Sequence, residues 1–168
     1  KDALLEACRV GEVGVVRLLA GKYGMDVETK DHLGNNTFLL ACEFGHVDCL
    51  RVLANEFNVT TTSRNKRSFN ALMVASYSWQ KEAIRVLVNE YGAKADGVDV
   101  YGSTAHHHCF QEDRRPHADI IEVLLTECKA NVNAENEEGD TPLILAARYH
   151  PVSVARILVD HNADLNVC

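Results

Sequence analysis

The amino-acid sequence repeats with a period of 34 residues, and this period limits the folds that the chain can adopt. The segment VVRLLA at Val15 has four counterparts, CLRVLA, AIRVLV, IIEVLL and VARILV, which begin at Cys49, Ala83, Ile120 and Val154. Their starts are separated by 34, 34, 37 and 34 residues, and four of the five segments carry arginine at the third position. A fixed internal period of this length is typical of solenoids, in which similar small units stack on one another.

Each repeat carries a second apolar segment upstream of the first. These segments are LLEAC at 4–8, FLLAC at 38–42, LMVAS at 72–76, HHHCF at 106–110 and LILAA at 143–147. We therefore predict two short helices in each repeat. Because neither helix reaches about 12 residues, neither would be stable alone, and stability must come from packing against neighbouring repeats.

Polar stretches rich in turn-forming residues connect one repeat to the next. They read TKDHLGNNT, TSRNKRSFN, GVDVYGSTA and NEEGDTP. Asp31 precedes Gly34 by three residues, and Asp99 precedes Gly102 by the same interval. Asp hydrogen-bonds to local backbone and Gly adopts positive φ, so this spacing predicts a tight hairpin turn between repeats.

Charge and hydropathy exclude two classes of partner. The formal net charge of −7, with 24 acidic and 17 basic side chains, would repel a phosphate backbone. We therefore expect no nucleic-acid partner. No apolar run approaches the 18 or so residues that a membrane-spanning helix needs, so we expect no membrane insertion.

The cysteines and the absence of catalytic motifs argue against an enzyme. Six cysteines lie singly along the chain without a CxxC pair, which favours free thiols and a reducing compartment, the cytoplasm or the nucleus. The sequence contains no Gly-rich phosphate loop, HExxH or GxSxG motif. We expect no cofactor and no small-molecule substrate.

The segment NEEGDTPLILAARYHPVSVARILVDHNADLNV, residues 136–167, resembles an ankyrin repeat. The family pattern runs D-x-x-G-x-T-P-L-H-x-A-A, then G-H, V-V-x-L-L and G-A-D-V-N. The resemblance extends over the chain as five units, at about 1–30, 31–64, 65–98, 99–135 and 136–168. It implies an all-α solenoid of stacked helix-turn-helix units with hairpin loops, and a non-enzymatic protein-interaction module.

The units depart from the family pattern in several places. Unit two has Asn36-Thr37-Phe38 for Thr-Pro-Leu, unit three has Trp79-Gln80 for Gly-His, and unit four contains about three extra residues around 113–115. Units one to four carry one extra residue after the second helix. The residues at that position, which we predict to pack under the loop, are Tyr23, Phe57, Tyr91 and Cys128.

The ends of the chain resemble incomplete units. Unit one lacks its leading hairpin, and the final ADLNVC stops where a further unit could begin. Terminal repeats need a polar outer face, and these incomplete units would expose an apolar one. We therefore interpret the chain as part of a larger protein with catalytic or channel parts.

The resemblance also implies where partners bind. In ankyrin-like stacks the hairpin tips and the outward side of the first helices form a concave face that contacts a partner protein or an extended peptide. Aromatic anchors flanked by charge are typical of binding hot spots. The predicted binding residues are Leu33, Phe44, Lys66, Arg67, Phe69, Tyr77, Tyr101, Glu137, Glu138 and Tyr149.

Charge along this face changes sign. The basic residues are Arg64, Lys66 and Arg67 in unit three, with Arg114 and Arg115 in the insertion of unit four. The acidic residues are Glu135, Glu137, Glu138 and Asp140 in unit five. We expect an acidic part of the partner to meet the middle units and a basic part to meet unit five.

Three consecutive histidines followed by Cys109 are the most unusual local feature. His106 aligns with Leu4, Phe38, Leu72 and Leu143, which predicts that it points into the stack. His107 aligns with the T-P-L-H histidine, whose family counterpart bonds nearby loop backbone. We interpret the cluster as structural, with two uncompensated imidazoles making unit four the weakest part of the stack.

A metal- or redox-responsive regulatory domain is the alternative function for the cluster. His106, His108 and Cys109 would be its candidate ligands, because His106 and Cys109 lie three residues apart on a helix. Zinc prefers about four ligands, and the sequence places no further pair to complete the set.

Modification of asparagine is a further hypothesis. Asn133 and Asn166 lie where asparagine hydroxylases act on ankyrin-like repeats. The same side chains would stabilise the loop without modification.

Overall fold

The computed structural model of the chain describes residues 2–110, 117–149 and 151–166. These residues form helices and turns and no strand. The α-helices are α1 (Asp2–Val10), α2 (Val13–Arg17), α3 (Thr37–Phe44), α4 (Val47–Phe57), α5 (Ala71–Tyr77), α6 (Lys81–Asn89), α7 (Ala118–Thr126), α8 (Pro142–Tyr149) and α9 (Val152–Asp160). A π-helical turn, Leu18–Lys22, continues α2, and a 3₁₀ turn spans His107–Cys109. The predicted insertion at 113–115, Arg114 and Arg115 included, lies outside the described residues.

The helices stack in two layers. In the layer of first helices, α1 packs on α3, α3 on α5, and α5 on the 3₁₀ turn. In the layer of second helices, α2 packs on α4, α4 on α6, α6 on α7, and α7 on α9. This succession of contacts between neighbouring units confirms the predicted all-α repeat solenoid. None of the described helices is both long and apolar enough to span a membrane.

The core is a set of columns that run through the repeats. Equivalent leucines of the second helices, Leu53, Leu87, Leu124 and Leu158, are all buried. Burying a leucine side chain contributes about 1.5–3 kcal/mol, so each unit stabilises its neighbours through such positions. Small cysteines occupy the same core: Cys8, Cys42 and Cys109 are buried and unpaired by disulfide.

Unit two keeps its helix start despite the departure from Thr-Pro-Leu. The side-chain oxygen of Asn36 accepts a hydrogen bond of 3.0 Å from the backbone N–H of Leu39. Asn70 accepts in the same way from Met73 in unit three, at 2.9 Å. Because Asn is among the best N-cap residues, it replaces the family threonine at the start of α3 without loss of the cap.

Unit three keeps the contact that the family histidine makes. In unit two, His46 Nε2 lies 2.9 Å from the carbonyl oxygen of Arg9, at the end of the preceding unit's first helix. In unit three, Gln80 Nε2 donates to the carbonyl of Glu43 at 3.2 Å. Trp79 adopts the left-handed φ of +58° that a glycine would otherwise supply. Gln80 therefore performs the linking role of the histidine.

The extra residue in units one to four lengthens the loop that ends each second helix. In unit two, Val59 donates its N–H to the carbonyl of Leu53, six residues earlier. In unit five, which lacks the extra residue, Ala163 bonds to Leu158, five residues earlier.

The prediction that the extra side chains pack under the loop fits three of the four. Tyr91 meets the ring of Phe38 edge-on, with centroids 5.8 Å apart, and Phe57 and Cys128 are half-buried against the core. Phe57 and Tyr91 lie beside Gly21 and Phe38 of the preceding units, whereas Tyr23 is 65% exposed, so the prediction is wrong for Tyr23.

Unit four differs from the prediction of two helices in each repeat. Where the other units have a first helix, its described residues form only the 3₁₀ turn His107–Cys109. Histidine has a lower helix propensity than the leucine and alanine found at these positions elsewhere. The ring of His107 is also held by hydrogen bonds to the neighbouring hairpins, described below.

Candidate protein-binding surface

The four hairpin tips share one side-chain-stabilised turn. Asp31 Oδ1 accepts hydrogen bonds of 2.9 Å from the backbone N–H groups of Leu33 and Asn35. The equivalent residues Asn65, Asp99 and Asn136 bond their own tips in the same way. Gly34 supplies the positive φ, +85°, that closes the turn. The tight turn predicted from the Asp–Gly spacing is thus confirmed.

Adjacent tips are joined by backbone hydrogen bonds. Lys66 donates its N–H to the carbonyl of Leu33 at 3.0 Å, and Glu137 donates to that of Tyr101 at 3.0 Å. A Cβ atom added to Gly34 would lie 3.0 Å from the nitrogen of Lys66, so a larger residue would force the tips apart. The tips and the first helices beside them form one surface, which we call the hairpin face.

Two adjacent grooves lie on the hairpin face. The first groove, of about 370 Å³, lies between the hairpins of units two and three and the ends of α3 and α5. The second groove, of about 500 Å³, continues across units three to five. Arg67, Phe69 and Tyr77 line both grooves. Together the grooves extend across four units.

Most of the predicted binding residues are exposed on this face. Leu33 lines the first groove, and Tyr101 and Glu138 line the second. Leu33 is 45% and Tyr101 is 64% exposed, although both are large enough to be buried in a core. Lys66, Arg67 and Glu137 are exposed at the hairpin tips.

Phe69 departs from its prediction as an exposed anchor. It is only 7% exposed and belongs to the core. Its ring packs 4.2 Å from the ring of His108 and 6.0 Å from that of Tyr77, measured between centroids. Phe69 therefore supports the grooves from beneath.

Phe44 and Tyr149 are exposed but line neither groove. The guanidinium of Arg9 lies 5.8 Å from the ring centroid of Phe44, and that of Arg148 lies 5.6 Å from the ring of Tyr149. Both aromatic rings are thus in contact with cations of the protein itself.

The three cations of the basic patch of unit three differ in the bonds that they form within the protein. Arg64 donates to the carbonyl of Val98 at 2.7 Å and to that of Ser68, so it joins two hairpins rather than facing a partner. Lys66 Nζ donates to the carbonyl of His32 at 2.8 Å. Arg67, in contrast, forms no side-chain hydrogen bond or ion pair within the described residues. Arg64 and Lys66 keep their positive charges in these bonds, and Arg67 has the most hydrogen-bond donors left for a partner.

Glu43 is a groove residue that the predicted set omits. It lies near the C-terminal end of α3, and its Oε2 accepts a hydrogen bond of 3.2 Å from Asn35 Nδ2. Burial raises the pKa of its carboxyl group, as does the nearby charge of Asp31, while Arg9 lowers it. Its place on the outward side of a first helix was the only signal in the sequence.

Comparison with known families agrees with this geometry. The family model described as ankyrin repeats (3 copies) matches residues 4–99, 60–136 and 91–167. The chain belongs to the ankyrin repeat family. A curated ankyrin repeat protein from Rickettsia bellii (strain RML369-C) is 49% identical over 39 residues, which make up 23% of this chain and 23% of that relative's length. Ankyrin repeats are generally non-enzymatic modules for protein–protein interaction.

His107 is the ankyrin histidine of the T-P-L-H motif, and it joins two hairpins. Its Nδ1 accepts from the backbone N–H of Thr104 at 3.1 Å, so the proton resides on Nε2, which donates to the carbonyl of Asp140 at 3.0 Å. Burial lowers the pKa of this imidazole, although the bond to Asp140 opposes the effect. The predicted bond to loop backbone is confirmed.

The other two histidines point in different directions. His106 is fully buried, as predicted, and neither of its ring nitrogens has a hydrogen-bond partner within the described residues. Burial lowers its pKa to about 3. His108 Nε2 lies 3.1 Å from Asp99 Oδ2, and burial lowers its pKa against the attraction of that carboxylate.

The alternative of a metal site at this cluster gains no support. No group of three or more His, Cys, Asp or Glu side chains in the described part of the chain is placed to hold a metal ion. Cys109 Sγ contacts the carbonyl of Ala105 at 3.7 Å, and burial raises the pKa of its thiol. A thiol that stays protonated is a poor metal ligand and a poor nucleophile.

Asn133, the first candidate for modification, is already engaged at both ends of its amide. Its Oδ1 accepts from the backbone N–H of Asp164 at 2.8 Å, and its Nδ2 lies 3.4 Å from the carbonyl of Asn162. It therefore links the loops of units four and five, which agrees with the structural interpretation. Modification of Asn133 or Asn166 stays a prediction.

Proposed function

We propose that this protein is a non-enzymatic interaction module that binds a partner protein or an extended peptide on its hairpin face. The observation that carries the proposal is the pair of adjacent grooves that share Arg67, Phe69 and Tyr77. A peptide in extended conformation would cross the hairpin tips of successive units and place side chains in both grooves.

The exposed apolar side chains beside the grooves supply the driving force. Leu33 and Tyr101 are held out by the hairpin turns, and the stack gains little from them. Large exposed apolar groups rimmed by polar residues are typical of interaction sites, and tyrosine is enriched among binding hot spots.

Charge gives the partner an orientation. Arg67, with Lys66 beside it, would meet an acidic segment, and Glu137 with Glu138 would meet a basic segment. Complementary charges act mostly on the association rate, which falls as salt screens them. Reversing the charge of Arg67 should therefore slow association and flatten its dependence on salt.

The thiols favour a reducing compartment, the cytoplasm or the nucleus. The cysteines within the described residues are unpaired, and Cys8, Cys42, Cys49 and Cys109 are buried. Burial raises the pKa of Cys49 to about 11, so this thiol stays protonated at neutral pH. Free, unreactive thiols of this kind are common where glutathione keeps cysteines reduced.

Capture of partners from lysate of the source cells tests the proposal. The variant L33A/Y101A removes two exposed side chains from the hairpin face and should leave the fold intact. Tyr23→Ala is the matched control, because Tyr23 is 65% exposed, as Tyr101 is 64%, but lies at the end of the π-helical turn.

The expected result is a protein that wild type and Tyr23→Ala capture and L33A/Y101A does not. A set of captured proteins that all three forms retain equally would place binding elsewhere and refute the hairpin face as the site.

A further inference from the structure

The first groove combines an apolar wall with one carboxylate. Leu33, Phe69 and Tyr77 are among its apolar lining residues, and Glu43 lies at the helical side. Lys66 and Arg67, which belong to the hairpin tip of unit three, line the same groove. The groove is thus acidic beside the helices and basic at its outer rim.

The carboxylate of Glu43 is incompletely compensated. A carboxylate can accept about four hydrogen bonds, and within the described residues Glu43 accepts one, from Asn35. It forms no ion pair there. The charge of Asp31 raises the pKa of its carboxyl group, and the charge of Arg9 lowers that pKa. Partial burial without a paired cation is unfavourable for a charged group. A ligand that brings a positive charge to this point would relieve that cost.

We propose that the first groove receives a lysine or arginine side chain of the partner. The methylene groups of that side chain lie along Leu33 and Tyr77, and its cationic head binds the carboxylate of Glu43. Long basic side chains bury their apolar stems while the charged end keeps polar partners, which matches an apolar wall that ends at an acid. The inference rests on the proposed function and specifies what the hairpin face recognises.

Other occupants of the groove fit less well. An acidic side chain would be repelled by Glu43, and a purely apolar one would remove water from that carboxylate without replacing it. Beside the basic residue, Arg67 would attract an acidic neighbour. The preferred partner segment therefore carries a basic residue next to an acidic one.

Selection of peptides from a random dodecapeptide library displayed on phage tests the inference. The immobilised forms are wild type, Glu43→Gln, Glu43→Lys and L33A/Y101A. Gln keeps an oxygen for Asn35 Nδ2 and removes only the charge. Glu122→Gln is the matched control, because Glu122 is exposed on α7, in the layer of second helices.

Peptides selected on wild type should share a lysine or arginine, and selection on Glu43→Lys should replace it with an acidic residue. The peptides selected on wild type should bind Glu43→Gln with about tenfold to hundredfold lower affinity, because one charged hydrogen-bonded contact is lost. Glu122→Gln should bind them as wild type does.

The possible failures are distinguishable. Peptides that require Leu33 and Tyr101 but show no basic residue, or bind Glu43→Gln equally well, would overturn the assignment of the first groove and leave the proposed function standing. Selected peptides that bind L33A/Y101A as tightly as wild type would refute both.

Discussion

Arg51 binds Glu90, one repeat further along the chain, through two hydrogen bonds: Nε to Oε2 at 3.0 Å and Nη2 to Oε1 at 2.6 Å. Arg17 pairs with Glu56 in the same manner, and Arg85 bonds to Glu127. The recurring arginine of the second helices therefore links each of the first three units to the next, within the layer of second helices. Unit four has Glu122 at the arginine position, so the series is interrupted there.

The Arg51–Glu90 pair should contribute to coupling between units two and three rather than to the stability of either one. Both side chains are substantially exposed, so Arg51→Ala should lower the midpoint of thermal unfolding only slightly, and less at high salt. The measurement is a double-mutant cycle with Glu90→Ala. Strictly additive effects of the two substitutions would show that the pair has no coupling energy.

Phe69 and Tyr101, both predicted as exposed anchors, should behave differently on truncation. Phe69→Ala removes a buried ring and should lower the free energy of unfolding by about 3–5 kcal/mol. Tyr101→Ala removes an exposed ring and should change it by less than about 0.5 kcal/mol. Urea unfolding of the two variants measures both values, and similar losses would contradict the burial of Phe69.

The imidazole of His106 should make the free energy of unfolding decrease at acidic pH. Its pKa is about 3 in the folded protein and near 6.5 when unfolded, so the unfolded chain binds the proton first. Stability is fully present above about pH 6.5 and decreases towards pH 3, by up to about 1.4 kcal/mol per pH unit. His106→Leu introduces the residue found at the equivalent positions Leu4 and Leu72, and it should weaken this dependence of stability on pH.

Urea unfolding at pH 7.5, 6 and 5 measures the difference between the free energies of unfolding of wild type and His106→Leu. The titration of other groups cancels in this difference. A difference that stays constant over this range would show that His106 does not titrate as described.

Unit four should be the least stable part of the stack. Its described residues form a 3₁₀ turn where the other units have a first helix, and they include a buried imidazole that has no hydrogen-bond partner among them. Such regions open locally at lower free energy than the rest of a protein. Hydrogen exchange should be faster at Cys109 and Phe110 than at Leu39 and Leu40 of unit two. Equal protection of the two pairs would contradict the prediction.

Much of the hairpin face could be predicted from the sequence, because the turns depend on residues close together in the chain. The exposed positions of Leu33 and Tyr101 follow from hairpin turns that Asp31 and Asp99 stabilise within four residues. Neither the burial of Phe69 nor the hydrogen bonds from Arg64 to backbone carbonyls could be predicted in this way. Both depend on contacts with unit four.

The repeat, the hairpins and the apolar columns follow from the amino-acid sequence alone, because period, turn chemistry and hydrophobic spacing are local properties that every unit carries. Which side chains of the hairpin face remain available to a partner depends instead on contacts between units. Glu43, for example, receives its environment from Asn35 beside it and from the hairpin of the next unit. The identity of neighbours more than 30 residues away decides whether a side chain is buried, paired or left exposed, and the unit alone does not specify it.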